Sequence, residues 1–210
     1  SKTEARHRAI NMAPAGEHRE QERATWTFFD AIPPLDRDLL PHDSVRGSQV
    51  LEPLFEFSGA CAGCGETQYI KLLTQLFGDR IVVAAATGCS SIYGANLPTT
   101  PWTVNREGRG PAWNNSLFED AAEFGVGMRL GYEAQVAAAT RLLERLGSRI
   151  DANLAREIVE AVQESEPQIR AQRERVTRLV ASLQTLEPRD ADVDQLLAVA
   201  GSLVRQGVWI

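Results

Sequence analysis

Residues 66–88 read ETQYIKLLTQLFGDRIVVAAATG. In the first half Tyr69, Ile70, Leu72, Leu73, Leu76 and Phe77 recur at helical spacing, and Gly78 stands where a helix would stop. The period then changes. Residues 81–86 are a short apolar run, β-branched at Ile81, Val82 and Val83 and closed by Gly88. That is the pattern of a strand buried on both faces of a parallel sheet. A helix followed by a buried strand is half of a βαβ unit, so the fold class is α/β.

Downstream, residues 89–116 (CSSIYGANLPTTPWTVNREGRGPAWNNS) are rich in Gly, Pro, Asn, Ser and Thr and read as one long loop. Tyr93, Trp102 and Trp113 argue against disorder; the two tryptophans could wall a pocket or pack the loop. Arg106, Glu107 and Arg109 could face an anionic group or brace the loop locally. From Leu117 the pattern turns helical, and the glycines of GVGMRLG read as close helix-packing points. Three further amphipathic helices follow, with Pro167 at a helix start and alternating charge on the outer faces. The C-terminal half is thus helical. GVWI, residues 207–210, reads as the opening of another buried strand. A domain rarely stops there, so a piece of something longer is expected.

Upstream, residues 1–24 are charged and read as an extended arm. TWTFFDAIPPLDRDLLP, residues 25–41, bunches aromatics before prolines and reads as irregular, its rings docking on another surface or on its own core. The net charge of −6 and the lack of a basic block exclude nonspecific nucleic-acid binding. No apolar run approaches a membrane span, and the first residues carry no secretory h-region. Three cysteines make a poor disulfide framework and fit a reducing, cytoplasmic setting.

The chemistry concentrates in SGACAGCGET, residues 58–67. Cys61 and Cys64 sit two residues apart among Gly59, Gly63 and Gly65. A redox pair, a zinc site, an iron–sulfur cluster and inert buried thiols are all open readings. The remaining cysteine is Cys89, and His7, His18 and His42 lie upstream in arm-like sequence. A cubane cluster takes four thiolates, so a fourth ligand would come from outside these residues.

Several blocks carry a resemblance: KTE…HRAINM (2–12), FEFSGACAGCGET (55–67), FGDR (77–80), ATGCSSIYG (86–94) and NREGRGPAWNNSLFEDAAEFG (105–125). Together they resemble pyruvate:ferredoxin (or flavodoxin) oxidoreductases, in the C-terminal thiamine-diphosphate-binding domain. The resemblance implies a linker at 1–50 leaving a preceding ferredoxin-like domain, and a partial thiamine-diphosphate domain at 51–210. It implies that Cys61, Cys64 and Cys89 are three ligands of a [4Fe–4S] cluster. It places Glu66, Cys89, Ser90, Ser91, Ile92 and Tyr93 around thiamine diphosphate, with the magnesium ligands and the fourth cysteine outside this chain. It further implies pyruvate and coenzyme A as substrates, ferredoxin or flavodoxin as electron acceptor, the remaining domains of a parent enzyme as partners, and a homodimer. Another 2-oxo acid as substrate, a zinc-bound interaction module and a thiol–disulfide exchanger stand as the alternatives.

Overall fold

The computed structural model describes residues 12–95 and 99–209. The chain divides into two compact units, Ser1–Leu40 and Pro41–Ile210. In the first, helix α1 spans Ala15–Ala31. This corrects the expected irregular arm. Alanine, glutamate, glutamine and arginine dominate its first half, and all are strong helix formers. The helix ends where Ile32, preceding Pro33, turns to extended backbone. None of its residues is buried. The opening motif at 2–11 and His7 lie outside the described residues.

In the second unit a short helix α2 (Val45–Gln49) leads to the segment 51–55, which lies against α3 (Thr67–Phe77). Two buried side chains of α3 fasten it: Gln75 Nε2 donates to the Leu51 carbonyl at 2.9 Å, and Thr74 Oγ1 accepts from Leu54 N at 3.1 Å. Buried polar groups are retained where both ends find partners, as here. Gly78 ends α3 with an ordinary backbone, φ −57°. What demands glycine is space, since a Cβ would stand 2.9 Å from Leu54 Cδ1.

The apolar run forms strand β1 (Ile81–Ala85), as its composition predicts. It is the centre of a three-stranded parallel sheet ordered β2-β1-β3. The expected long loop contains two elements, helix α4 (Cys89–Gly94) and strand β2 (Ala112–Asn115). Polar AWNN has little strand propensity; it is recruited by pairing with β1, Val82 opposite Ala112 and Ala85 opposite Asn115. Strand β3 (Gly207–Trp209) pairs Ile81 with Gly207 on the other flank of β1. It lies at the sheet edge, and Trp209 is exposed rather than buried.

Helix α5 (Ala121–Leu146) follows β2 and packs on β1 and β3. Helices α6 (Ala152–Val159), α7 (Glu166–Gln184) and α8 (Ala191–Val199) complete the helical half. Their starts are capped: Asp151 accepts from Asn153 N at 2.9 Å, and Asp190 accepts from Val193 N at 3.1 Å. At α7 the Gln168 side chain reaches back to Ser165 N at 3.0 Å, with Pro167 in the first turn. Leu142, Leu143, Leu146, Leu154, Ile158, Leu179, Leu183, Val193 and Leu196 form one continuous core. Gln172 is buried within it, and its Nε2 donates to the carbonyls of Ile158 and Leu203, 3.0 Å each. Arg80, at the foot of β1, pairs with Asp79 at 2.9 Å and with Glu166, while Arg173 pairs with Asp79 at 2.7 Å. This network ties the start of the central strand to the start of α7.

Gly127 and Gly131 depart from expectation. Nothing lies within 4 Å of the position a Cβ would take at either one. They pack against nothing among the described residues.

Candidate functional site

In a parallel sheet the loops leaving the carboxyl ends of the strands make the ligand crevice, sharpest where neighbouring strands connect in opposite directions. Here β1 leads to β2 on one side, while β3 lies on the other. The segment leaving β1 is Ala86–Gly88 and then α4, which begins with Cys89.

The hydroxyls of α4 are engaged within the fold. Ser90 Oγ donates to the Ala86 carbonyl at 3.2 Å, and Ser91 Oγ donates to Asn115 Oδ1 on β2 at 2.9 Å. Ser91 also accepts from Gly88 N at 3.2 Å. These bonds fix Cys89 at the end of β1. Ile92 points to solvent, and Tyr93 is buried. The Tyr93 ring stands edge-on to Phe55, centroids 6.1 Å apart; Phe55 packs on Trp102 at 4.7 Å, and Trp102 Nε1 donates to the Gly94 carbonyl at 2.9 Å. Trp113 lies against Gly94, where a Cβ would stand 2.9 Å from its Nε1. Both tryptophans therefore hold α4 in place.

The second thiol-bearing element is the turn before α3. Cys64 N donates to the Cys61 carbonyl at 3.0 Å, and Gly63 takes a left-handed φ of +76° inside the turn. Cys61 is exposed and Cys64 half-buried; neither is in a disulfide. The Cys64 thiol is held below the usual thiol range, first by the backbone N–H of Glu66, then by that of Thr67 and by the Thr67 hydroxyl. Hydrogen bonds at a helix start favour the thiolate. Just upstream, Phe57 keeps a left-handed φ of 56° with its ring 96% exposed. Such strain in a bulky residue clusters at ligand-handling sites.

One bond joins the two elements: Tyr93 Oη donates to Glu66 Oε2 at 2.9 Å. Burial first, then the Glu66 carboxylate, then the nearby Cys64 and Cys89 thiols push the Tyr93 phenol well above the tyrosine range. It stays a donor. Thus Cys64, Glu66, Cys89 and Tyr93 converge at the carboxyl end of β1. Cys61 lies at the far end of its turn. Among the described residues, no three His, Cys, Asp or Glu side chains close into a metal-holding group. His18 and His42 lie in the N-terminal part of the chain and join no such group.

The loop 105–109 is braced internally. Asn105 Oδ1 accepts from Glu107 N at 3.1 Å and Arg109 N at 2.9 Å, and Arg109 pairs with Glu107 at 3.6 Å. Sequence reasoning missed Phe55 as the packing partner of Tyr93, Thr67 as a partner of Cys64, and Asn115 as the anchor of α4. Only Thr67, directly behind the CxxC turn, carried a local signal.

No family model matches the chain. Curated relatives match it along its whole length. Pyruvate-flavodoxin oxidoreductase of Nostoc sp. is 52% identical over 100% of the chain, which covers 18% of that protein. The probable pyruvate-flavodoxin oxidoreductase of Escherichia coli is 47% identical over 97% of the chain and 16% of its own length. Pyruvate:ferredoxin oxidoreductase of Moorella thermoacetica is 50% identical over 70% of the chain and 13% of its own length. The chain thus corresponds to one segment of much longer proteins. It belongs, as a segment, to the pyruvate-flavodoxin oxidoreductase family, and it spans 18% of the length of the Nostoc relative and 16% of the Escherichia coli one.

Proposed function

We propose that residues 51–210 are part of the thiamine-diphosphate domain of an enzyme that oxidatively decarboxylates pyruvate to acetyl-CoA and CO2. Electrons leave through [4Fe–4S] clusters to ferredoxin or flavodoxin, and residues 1–50 link from a preceding ferredoxin-like domain. The observation that carries this reading is the joining of two thiol-bearing elements at the carboxyl end of β1 by the Tyr93–Glu66 bond.

The donor chemistry fits. Cys64 is biased toward the thiolate, the form that binds iron, and Cys61 and Cys89 are free and exposed. As described, the three do not close into one group; drawn together, and with one further thiolate from outside the chain, they would supply the four sulfurs a cluster takes. When bound, thiamine diphosphate supplies an electron sink for decarboxylation and the cluster a one-electron acceptor beside it. The chain's own residues do the positioning. Tyr93, its phenol pushed well above the tyrosine range by burial, holds the Glu66 carboxylate at the mouth of the site. Ser91, anchored on Asn115, sets the height of Cys89 above the sheet. Exposed Ile92 offers an apolar wall that excludes water from what binds there. Magnesium ligands come from outside these residues, and the parent enzyme works as a homodimer. The 210 residues alone are inactive.

The test uses the full-length enzyme prepared without oxygen. Cys64→Ser should lower iron and acid-labile sulfide together and abolish pyruvate- and CoA-dependent flavodoxin reduction. Zinc without sulfide in the unaltered protein would replace this reading with the zinc-module alternative. Turnover of another 2-oxo acid in preference to pyruvate would change the substrate.

A further inference from the structure

Helix α5 is apolar on two opposite sides. Its inner side is spent on the sheet and the helical core through Ala139, Leu142, Leu143 and Leu146. Half a turn away, Val126, Gly127, Leu130, Ala134 and Ala137 make a second stripe, all exposed, spaced three and four residues apart. Val126 is 54% and Leu130 60% exposed. The stripe runs without charge from Glu123 to Arg141, roughly 27 Å at the helical rise. Arg129 and Glu133 pair with each other at 2.7 Å along one flank and leave the stripe bare.

A further feature points outward. Gly127 and Gly131, one turn apart, leave open space where side chains would be. Small residues in such a row let a second helix approach closely.

We propose that the stripe Val126–Ala137 is the seat of a helix from the part of the polypeptide outside these 210 residues, which presents small and apolar side chains to Gly127 and Gly131. The chain covers 18% of the Nostoc relative, so most of such a protein is available to supply it. This assignment rests on the chain being part of a longer polypeptide and not on its reaction, so flavodoxin reduction can fail while the docking stands, and the reverse.

The experiment is hydroxyl-radical footprinting of the unmodified full-length protein, with Val162 as internal reference, being 57% exposed in a polar connection. Val126 and Leu130 should be oxidised about tenfold less than Val162, because contact removes them from solvent. A photo-crosslinking residue at Ala134 in the same protein should yield a peptide from outside residues 1–210. Oxidation of Val126 and Leu130 at the Val162 rate overturns the proposal. So does a crosslink from α5 to α5 of a second copy, or to a residue within the 210.

Discussion

Helices α5 and α7 lie in the same half of the molecule and bury the same kind of inner face, yet their outer faces differ. α7 turns Arg170, Glu174 and Arg178 outward at four-residue spacing, a face that water completes. α5 turns out Val126, Gly127, Leu130, Ala134 and Ala137. The buried sides alone would not tell the two helices apart. What separates them is whether the second side is charged. A charged outer side marks a finished helix, and a neutral one marks half of an interface.

The comparison can be broken at several places. The largest effect should come from the face the two helices share. Leu183→Ala, at the centre of the core, should cost about 2–5 kcal/mol, read from denaturant unfolding of the full-length protein. A cost near zero would mean that the helical half is not one packed core. Next come the outer faces. Leu130→Lys should destabilise the full-length protein by about 2 kcal/mol, whereas Ala181→Lys on α7 should stay within about 0.5 kcal/mol. Equal costs would erase the distinction between the helices. Gln172→Met, which removes the donor to the Ile158 carbonyl and one of two donors to the Leu203 carbonyl, should cost about 1–3 kcal/mol.

Smaller effects test the site half against the helical half. Tyr93→Phe should cost about 1 kcal/mol and should slow flavodoxin reduction by freeing Glu66. Unchanged stability and rate would remove Tyr93 from the site. The smallest effect is at the start of α8. The Val193 N–H and then Arg149 hold Asp190 below the usual carboxylate range. Its contribution is therefore present above that range and is lost as pH falls through the depressed value. In Asp190→Asn the acid limb of a stability–pH curve should be shallower; an unchanged limb would show that the cap is silent.

Much of this fold is legible in the residues alone. Val82 and Val83 announce β1, and the spacing from Tyr69 to Phe77 announces α3, because both elements are written in local periodicity. β2 is not, since Asn114 and Asn115 are strand residues only by virtue of pairing with β1. α1 is hidden because its exposed aromatics and the prolines behind them outweigh its helix-forming first half. In the site, the thiols are legible from spacing, and Glu66 and Tyr93 each stand out. Their mutual bond does not, because it joins residues 27 positions apart that share no pattern. The glycines of α5 read as packing points, and the open space beside Gly127 and Gly131 becomes visible only with the fold.

The sheet carries a consequence for biosynthesis. β1 leaves the ribosome before both its neighbours, and β2 is the first partner to follow it. Its other flank waits for Gly207, which follows the whole helical half. At ordinary elongation rates that wait is on the order of ten seconds. Throughout it the nascent chain holds a bare apolar edge at Ile81 and Val83. Chaperone occupancy during translation should therefore peak while α5 to α8 are being made and fall once β3 emerges.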